Sequence, residues 1–473
     1  MGGAHDELKS VPWLPRVDTP SSAFSDSSPS PARLPLGLST RLAAFEALER
    51  LSDLRGNAAA QGSVIVPAGP ARRAWWVFVS TIGELNATAP LLDALRQRLS
   101  HLQMVLVTDH AHYRDSYLAR YPDAEVVVSL GHSRDAAALK VLRPPVLMLV
   151  AEIPLLPSDA PCRCSAPFLL AARAQGALLV AVNGWLYGYA PSCRMDDIER
   201  RLLTRGLLGQ FDAVCVQTDG VHAEMLRQGA PAARLHVTGN LKLDALHQVR
   251  PWQAAEARSP ALMQGIASSG RLAVVAGSLT RDSEMQAVLD AFVGLRQHHA
   301  DALLVLAPRH PEVPANLEQI AERLGARGLA SVRRSQLGDG ALPAACPVLV
   351  LDTMGELRDC YAVSTLAHVG VDHNVLEPLA YDKPTSVMPG WEATYPSYPV
   401  YTTLQQAGVL LDAEDAAGLL KRWLAAVDEG ATGQALHRAR VSLTRHGTSL
   451  QRHLSVLDPL LKTIRPFAAA AAP

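Results

Sequence analysis

Residues 75–109 read WWVFVS-TIGELNATAPLLDALRQRLS-HL-QMVLVTD. Short apolar runs stand at both ends, as in buried strands, and a helical pattern over 86–100 separates them. Apolar runs that alternate with helices indicate a parallel sheet that is covered on both faces. The stretch therefore predicts a strand–helix–strand unit of an α/β protein.

The same alternation continues along the chain in two series of predicted strands. The first series comprises 75–80, 103–109, 124–130, 145–152, 177–183 and 212–218, and the second comprises 271–278, 301–310, 346–353, 364–371 and 383–390. Residues 246–270 between them carry no strand pattern. We therefore predict two doubly wound, Rossmann-like domains that face a cleft, with ligands at the carboxyl ends of the strands.

These patterns give the predicted domain boundaries. Residues 1–36, rich in Ser and Pro, are interpreted as a disordered leader, and a helix over 38–54 has Ser39 or Thr40 as its N-cap. The remaining boundaries are 37–245 for the N-terminal domain, 246–270 for a linker, 271–430 for the C-terminal domain and 431–473 for terminal helices and a tail.

Composition excludes several classes of protein. Of the 473 residues, 48% are hydrophobic and 19% charged, which excludes disorder of the whole chain. The 44 Lys and Arg against 45 Asp and Glu argue against a basic nucleic-acid-binding surface. Six cysteines are too few for a disulfide scaffold and lack zinc-site spacing. No apolar run reaches the length of a membrane span, so we expect a soluble, cytoplasmic protein.

Two carboxylates close strands of the first series. Glu84 follows the first strand, with Asn86 or Thr88 as the cap of the next helix, and Glu152 closes the strand before two prolines. A carboxylate at the cleft can take a proton from a hydroxyl nucleophile. A solvated Glu favoured by the helix dipole is the alternative for Glu84.

Polar groups also follow the strands of the second series. Gly277 and Ser278 begin a turn that suits a phosphate at a helix start, and Arg309 with His310 suits an anion. For Arg309 the alternative is a surface ion pair with Glu312.

Two further strand ends belong to this set. Residues 352–357 (DTMGEL) place small and polar groups at a turn, and Glu377 in 373–378 (HNVLEP) suits the hydroxyls of a ribose. A Glu that serves only the helix dipole is again the alternative. Together, these strand ends predict one nucleotide site.

The ordered motifs resemble those of the bacterial 3-deoxy-D-manno-octulosonic acid (Kdo) transferase family over about residues 70–430. The motifs are TIGE (81–84), GNLKLD (239–244), AGSLTRDSE (276–284), APRHPE (307–312), DTMGEL (352–357) and HNVLEP (373–378). The resemblance implies a GT-B fold and transfer of Kdo from CMP-Kdo, or of a related ulosonic acid, to a lipid A precursor or other glycan acceptor. It further implies an inverting reaction without a covalent intermediate, a metal or another cofactor.

The resemblance also implies roles for residues at matching positions. Glu84 corresponds to the general base and Glu152 to a second acidic residue of the site. The positions that hold the CMP-sugar or shape its pocket correspond to Lys242, Gly277, Ser278, Arg309, His310, Met354, Gly355, Glu356, Asn374 and Glu377.

Four stretches depart from the family pattern. The leader stands in place of a membrane-anchoring segment, NGWLYGYA (183–190) lacks an Arg, AEIPLLP (151–157) lacks a Thr and a Trp, and VGVD (369–372) shortens a Gly-rich stretch. These departures leave three alternatives to a standard Kdo transferase. The first is a transferase whose acceptor is not the standard lipid A precursor. A catalytically inactive GT-B homologue that binds CMP-sugar or a partner transferase, and a nucleotide-sugar epimerase, are the others. Peripheral contact with the inner membrane stays open, since Trp75 and Trp76 fit a buried strand better than a docking face.

Overall fold

The computed structural model describes residues 33–53, 73–129, 145–152, 164–186, 193–247, 250–338, 342–428 and 448–464. Within these ranges the chain forms two seven-stranded sheets in which every pairing is parallel. This architecture confirms the predicted α/β fold with two doubly wound sheets. Of the predicted leader, residues 1–32 lie outside the described residues.

The first sheet has the strand order β3-β2-β1-β4-β5-β6-β7. Its strands are β1 Ala74–Phe78, β2 Gln103–Thr108, β3 Glu125–Val128, β4 Pro145–Ala151, β5 Leu178–Gly184, β6 Ala213–Val216 and β7 Leu235–Val237. The chain order reverses between β1 and β4, which makes this the switch point where such sheets bind ligands.

The second sheet has the order β10-β11-β9-β8-β12-β13-β14, with its switch point at β8. Its strands are β8 Ala273–Leu279, β9 Leu303–Pro308, β10 Ser331–Arg333, β11 Val348–Val350, β12 Leu366–Val369, β13 Thr385–Val387 and β14 Leu411–Asp412. The sequence patterns missed β7, β10 and β14, which are two or three residues long.

Helices cover both faces of the two sheets, as the helical patterns between the strands predict. They are α1 Leu36–Asp53, α2 Ile82–Arg98, α3 Arg114–Arg120, α4 Ala166–Ala174, α5 Arg194–Leu208, α6 Asp219–Arg227, α7 Pro260–Ser268, α8 Asp282–His298, α9 Pro314–Ala326, α10 Arg334–Leu337, α11 Leu357–Val363, α12 Leu376–Ala380, α13 Tyr398–Gln406, α14 Ala416–Asp428 and α15 Ser449–Leu461. Short 3₁₀ turns span Ala111–Tyr113, Ala232–Arg234, Leu241–His247 and Ala254–Glu256.

Side chains of β1 show how each sheet builds a core on both faces. Trp76 and Phe78 pack into one apolar cluster and Trp75 and Val77 into another, because successive side chains of a strand point to opposite faces. Both tryptophans are fully buried, as the sequence favoured. They therefore form no part of a docking face for a membrane.

The predicted cap of α1 is wrong. The helix begins at Leu36, so Ser39 and Thr40 lie inside its first turns, where their hydroxyls donate to the backbone oxygens of Pro35 and Leu36 at 3.3 and 2.9 Å. Proline at position 35 and the apolar Leu36 obscured this start in the sequence.

The turn Leu241–His247 joins the two halves. Leu241 packs into the core of the first sheet, whereas Leu243 and Leu246 pack into the core of the second. The last helix, α15, returns to the first sheet, where Leu457 and Leu461 complete its core. The Asp244 carboxylate accepts hydrogen bonds from the Ser449 and Leu450 amides at 2.8 and 2.7 Å and so holds the start of α15.

Residues 246–270 contain a helix as well as irregular chain. Leu262, Met263 and Ile266 of α7 pack into the core of the second sheet. This part of the predicted linker therefore covers the C-terminal half.

Candidate functional site

Glu84 lies at the start of α2, directly after β1. Thr81 caps this helix by accepting a hydrogen bond from the Glu84 amide, so the prediction of Asn86 or Thr88 as the cap is wrong. The carboxylate is only 5% exposed, and its Oε2 accepts a hydrogen bond from the Ser80 amide at 2.7 Å. Glu84 is therefore a held, buried carboxylate and not a solvated residue of the first turn.

Glu152 lies at the end of β4, the neighbour of β1 across the switch point. It is fully buried, with its backbone in the left-handed region at φ 63°. Its Oε1 lies 2.8 Å from Lys242 Nζ and accepts a hydrogen bond from Asn183 Nδ2 at 3.1 Å. A buried carboxylate needs such partners, and here a cation and an amide supply them.

Asn183, at the end of β5, organises the backbone around Glu152. Its side-chain Oδ1 accepts a hydrogen bond from the Leu241 backbone amide at 2.8 Å, and its backbone amide donates one to His453 Nε2 at 3.1 Å. His453 on α15 is fully buried and donates from Nδ1 to the Ser449 carbonyl at 2.7 Å. Burial lowers the pKa of this imidazole to about 4, so it is neutral at pH 7.

The residues of the second half follow four strands that are direct neighbours, in the order β11-β9-β8-β12. Gly277 and Ser278 lie in β8, and Arg309 and His310 follow β9. Met354 to Glu356 follow β11, and Asn374 and Glu377 follow β12. Because the strands are parallel, all of these residues lie at one edge of the sheet.

Gly277 is required by packing against the neighbouring helix. A Cβ at this position would lie 2.0 Å from Tyr361 Oη and 2.9 Å from Leu357 Cδ1. Ser278 follows with φ 60°, and a Cβ on Gly370 would lie 2.3 Å from its carbonyl oxygen. Packing against the side chains of Tyr361 and Leu357 therefore explains Gly277 without a ligand. Close approach to the Ser278 backbone likewise explains Gly370 without a ligand.

Arg309 and His310 are exposed at the end of β9. His310 Nδ1 lies 3.0 Å from Glu312 Oε1, so the histidine, and not Arg309 as the alternative proposed, is the residue that pairs with Glu312. Arg309 lowers the pKa of the nearby His373, on which burial has the larger effect. The Arg309 guanidinium is therefore part of the charge environment of the β12 turn.

Met354, Gly355 and Glu356 differ sharply in exposure. Met354 is 65% exposed, whereas Glu356 is buried. Glu356 accepts from Thr353, Ser259 and Arg334, and Arg334 Nε lies 3.0 Å from its Oε1. Burial alone would raise its pKa, but these three donors lower the pKa below its usual value. Glu356 therefore holds the turn in place.

Gly355 has φ 88°, which favours glycine, and a Cβ there would lie 2.6 Å from Arg258 Nη1. Gly355 is exposed beside Met354, and the Arg258 side chain lies against its backbone.

Asn374 and Glu377 are neighbours at the start of α12. Asn374 Nδ2 donates to Glu377 Oε1 at a long 3.5 Å, and the Asn374 Oδ1 accepts from the Leu376 amide. Glu377 is half-buried, and desolvation raises its pKa although Asn374, Arg250 and Arg358 oppose the rise. A carboxylate held by one long hydrogen bond retains acceptor capacity for a ligand.

Several non-glycine residues with positive φ lie at these strand ends. They are Glu152, Asn183, Ser278, His310 and Asp372. Residues held in this region cost of order 1–3 kcal/mol each and concentrate at ligand sites. The strain therefore marks the same two edges as the sequence motifs.

The sequence patterns missed Asn183, His453 and Arg334, which support the carboxylates. Asn183 follows a predicted strand, a signal that could have found it, but His453 and Arg334 are distant in sequence from their partners. Arg281, in the turn after β8, donates to the Asp372 carboxylate and the Gly390 carbonyl at 3.2 and 2.7 Å.

Neither metal ligands nor membrane spans are found in the part of the chain that the structure describes. No group of three or more His, Cys, Asp or Glu there is placed to hold a metal ion. None of the described helices is both long enough and apolar enough to cross a bilayer. The residues that follow Glu152 and Leu186 in the altered motifs lie outside the described ranges.

Two doubly wound sheets, each with polar groups at its switch point, define a GT-B protein. Residues 49–245 match the family model described as 3-deoxy-D-manno-octulosonic-acid transferase (kdotransferase). The chain is 28% identical over 407 residues to the 3-deoxy-D-manno-octulosonic acid transferase of Bordetella pertussis. The alignment covers 82% of this chain and 87% of that one. The Haemophilus influenzae protein of the same name is 25% identical over 413 residues, or 83% and 86% of the two chains.

A solved structure supports the fold alone. The UDP-GlcNAc 2-epimerase from Neisseria meningitidis, bound to UDP-GlcNAc, aligns with a TM-score of 0.56 and 14% identity over 82% of this chain and 100% of that chain. The family model and the two transferases agree with the motifs. This chain is therefore similar to Kdo transferases over most of its length, and the identities of 25–28% make it a divergent relative of them.

Proposed function

We propose that this protein is an inverting glycosyltransferase that moves Kdo, or a related ulosonic acid, from its CMP derivative to a lipid A precursor or related glycan. The observation that carries the proposal is the buried Glu84 carboxylate, fixed by the Ser80 amide at the switch point of the first sheet. A carboxylate held at a ligand-binding edge is placed to act as a general base.

In the proposed reaction, Glu84 takes the proton of the acceptor hydroxyl while the acceptor oxygen attacks the anomeric carbon of the donor. The bond from that carbon to the CMP phosphate oxygen breaks, and the electron pair leaves with CMP. One bond forms and one breaks in a single displacement, so the configuration inverts. The chain itself supplies the base and the groups that stabilise the leaving phosphate.

The donor is assigned to the second half on the chemistry of four adjacent strand ends. The exposed Arg309 supplies a planar cation for a phosphate or carboxylate. Glu377 supplies an acceptor for ribose hydroxyls, and the exposed Gly355, with the Arg258 side chain against its backbone, lies at the same edge of the sheet. Glu356 supports that turn from within and does not contact the donor in this account.

Lys242 takes a different role from the one that the resemblance implies. Its ammonium lies on Glu152 and its flanking residues enter both cores, so we assign it to the joint between the halves. In this assignment, Glu152 and Lys242 keep the edge that carries Glu84 in a fixed relation to the donor half.

Calorimetric titration with CMP tests the donor site. We expect wild type to bind, and Arg309→Ala and Glu377→Gln to bind at least about tenfold more weakly, the loss of one charge-assisted hydrogen bond. Glu318→Gln, an exposed carboxylate on α9, serves as the matched control. Equal affinity in all four proteins would contradict this assignment of the donor site.

A further inference from the structure

The turn after β2 brings four polar or aromatic side chains to the edge that carries Glu84. β1 and β2 are parallel neighbours, paired from Ala74 with Gln103 to Phe78 with Val107. The segments after the two strands therefore lie side by side. We call Asp109, His110, His112 and Tyr113 the β2 cluster; none of them belongs to the motifs that carry the resemblance.

Ser80 links this cluster to Glu84. Its amide donates to Glu84 Oε2 at 2.7 Å, and its hydroxyl donates to Asp109 Oδ1. Thr108 fixes the joint from the other side, because its hydroxyl donates to the Ser80 carbonyl at 2.9 Å and accepts from the His110 amide at 3.1 Å. One residue thus holds both carboxylates, and the Asp109 side chain is only 8% exposed.

The rings of the cluster form a joined aromatic surface. The His112 and Tyr113 centroids are 4.1 Å apart, and His110 contacts both rings at 5.3 to 5.5 Å. Tyr113 lies parallel to the buried Tyr117, whose hydroxyl donates to the Val79 carbonyl at 2.8 Å. His112 is exposed, and His110 and Tyr113 are partly exposed. The rings are therefore anchored to the core while part of their surface faces solvent.

We propose that the β2 cluster binds the sugar ring that carries the acceptor hydroxyl. Aromatic rings supply a rigid apolar surface for the C–H face of a pyranose, and Asp109 and the imidazoles exchange hydrogen bonds with its hydroxyls. The cluster is accordingly matched to the C–H face and the hydroxyls of a pyranose. This inference rests on the proposed function and names the acceptor subsite of that reaction.

Binding of an unacylated, unphosphorylated glucosamine disaccharide, measured by saturation-transfer NMR and titration, tests the subsite. We expect Tyr113→Ala and His112→Ala to bind about two- to tenfold more weakly, the loss of one ring contact. Tyr113→Phe keeps the ring and should stay within about twofold of wild type. The matched control is His101→Ala, an exposed histidine at the opposite end of β2. CMP affinity and melting temperature report whether each variant is folded.

The outcomes separate the subsite from the proposed function. Absence of disaccharide binding by wild type, or equal binding by folded Tyr113→Ala, would overturn the subsite. Turnover of CMP-Kdo decides the proposed function independently, because the disaccharide assay requires no donor. With turnover, the subsite predicts a higher acceptor KM and an unchanged donor KM in Tyr113→Ala; an unchanged acceptor KM would overturn it.

Discussion

Lys242 Nζ lies 2.8 Å from Glu152 Oε1, and this pair connects the joint of the two halves to the edge that carries the candidate base. Glu152 is fully buried and also accepts a hydrogen bond from Asn183. The ammonium is thus the positive partner of a carboxylate that has little access to water. Loss of the ammonium should therefore lower both the stability and the activity of the protein.

Replacing Lys242 with Met should destabilise the protein by about 3 kcal/mol, because it removes a cation that lies against a buried carboxylate. Urea unfolding measures the change. Lys242→Met combined with Glu152→Gln should recover at least half of the loss, since the carboxylate charge is gone as well. A Lys242→Met protein as stable as wild type would show that the pair does not hold this joint.

Gly277→Ala should destabilise the C-terminal half by about 1–3 kcal/mol, because the added methyl group meets the Tyr361 ring and Leu357. Denaturant unfolding again gives the size of the effect. Adding Tyr361→Phe removes the nearest atom, the hydroxyl oxygen at 2.0 Å, and should restore part of the stability. If Gly277→Ala is fully stable but loses CMP binding, the glycine serves the ligand and not the packing.

His453 should make stability depend on pH between about 6.5 and 4. Burial lowers the pKa of this imidazole to about 4 in the folded protein, whereas the unfolded chain has the ordinary value near 6.5. Between these values the unfolded state binds more protons, so stability falls as pH falls. The loss should reach about 3 kcal/mol near pH 4.

We propose to measure the difference in unfolding free energy between wild type and His453→Gln from pH 7 to pH 4. This difference isolates the contribution of His453 titration to stability. The advantage of wild type over His453→Gln should shrink as the pH falls. Leu454→Ala on the same helix is the control, and its difference from wild type should be independent of pH. A constant difference for His453→Gln would mean that the imidazole titrates normally in the folded state.

The sequence predicts most of the fold because long strands such as 145–152 and 301–310 contain apolar runs that are recognisable without the structure. Strands β7, β10 and β14, of two or three residues each, were missed, whereas the equally short β11 was found because it lies within the apolar run 348–351. The caps of α1 and α2 were misassigned because several Ser, Thr and Asn residues stand near each helix start. Only the backbone hydrogen bonds distinguish Thr81 from Asn86 and Thr88.

The site was predicted as a set of strand ends, and the sheet orders bring those ends together. Sequence could not assign partners, because these depend on contacts between distant segments. Lys242 meets Glu152 across 90 positions of the chain, and His453 reaches Asn183 from the last helix. Likewise, nothing in the sequence separates the buried, structural Glu356 from the half-buried Glu377 with acceptor capacity to spare.

CMP release from CMP-Kdo, with and without a tetra-acylated lipid A precursor, tests most directly whether Glu84 is the base of a lipid-dependent Kdo transfer. The proteins to compare are wild type, Glu84→Gln and the control Glu46→Gln on α1. We expect release that requires the lipid, continues in Glu46→Gln and falls by at least about 100-fold in Glu84→Gln, the contribution of a general base. CMP binding without lipid-dependent release in wild type, or full activity of Glu84→Gln, would contradict this expectation.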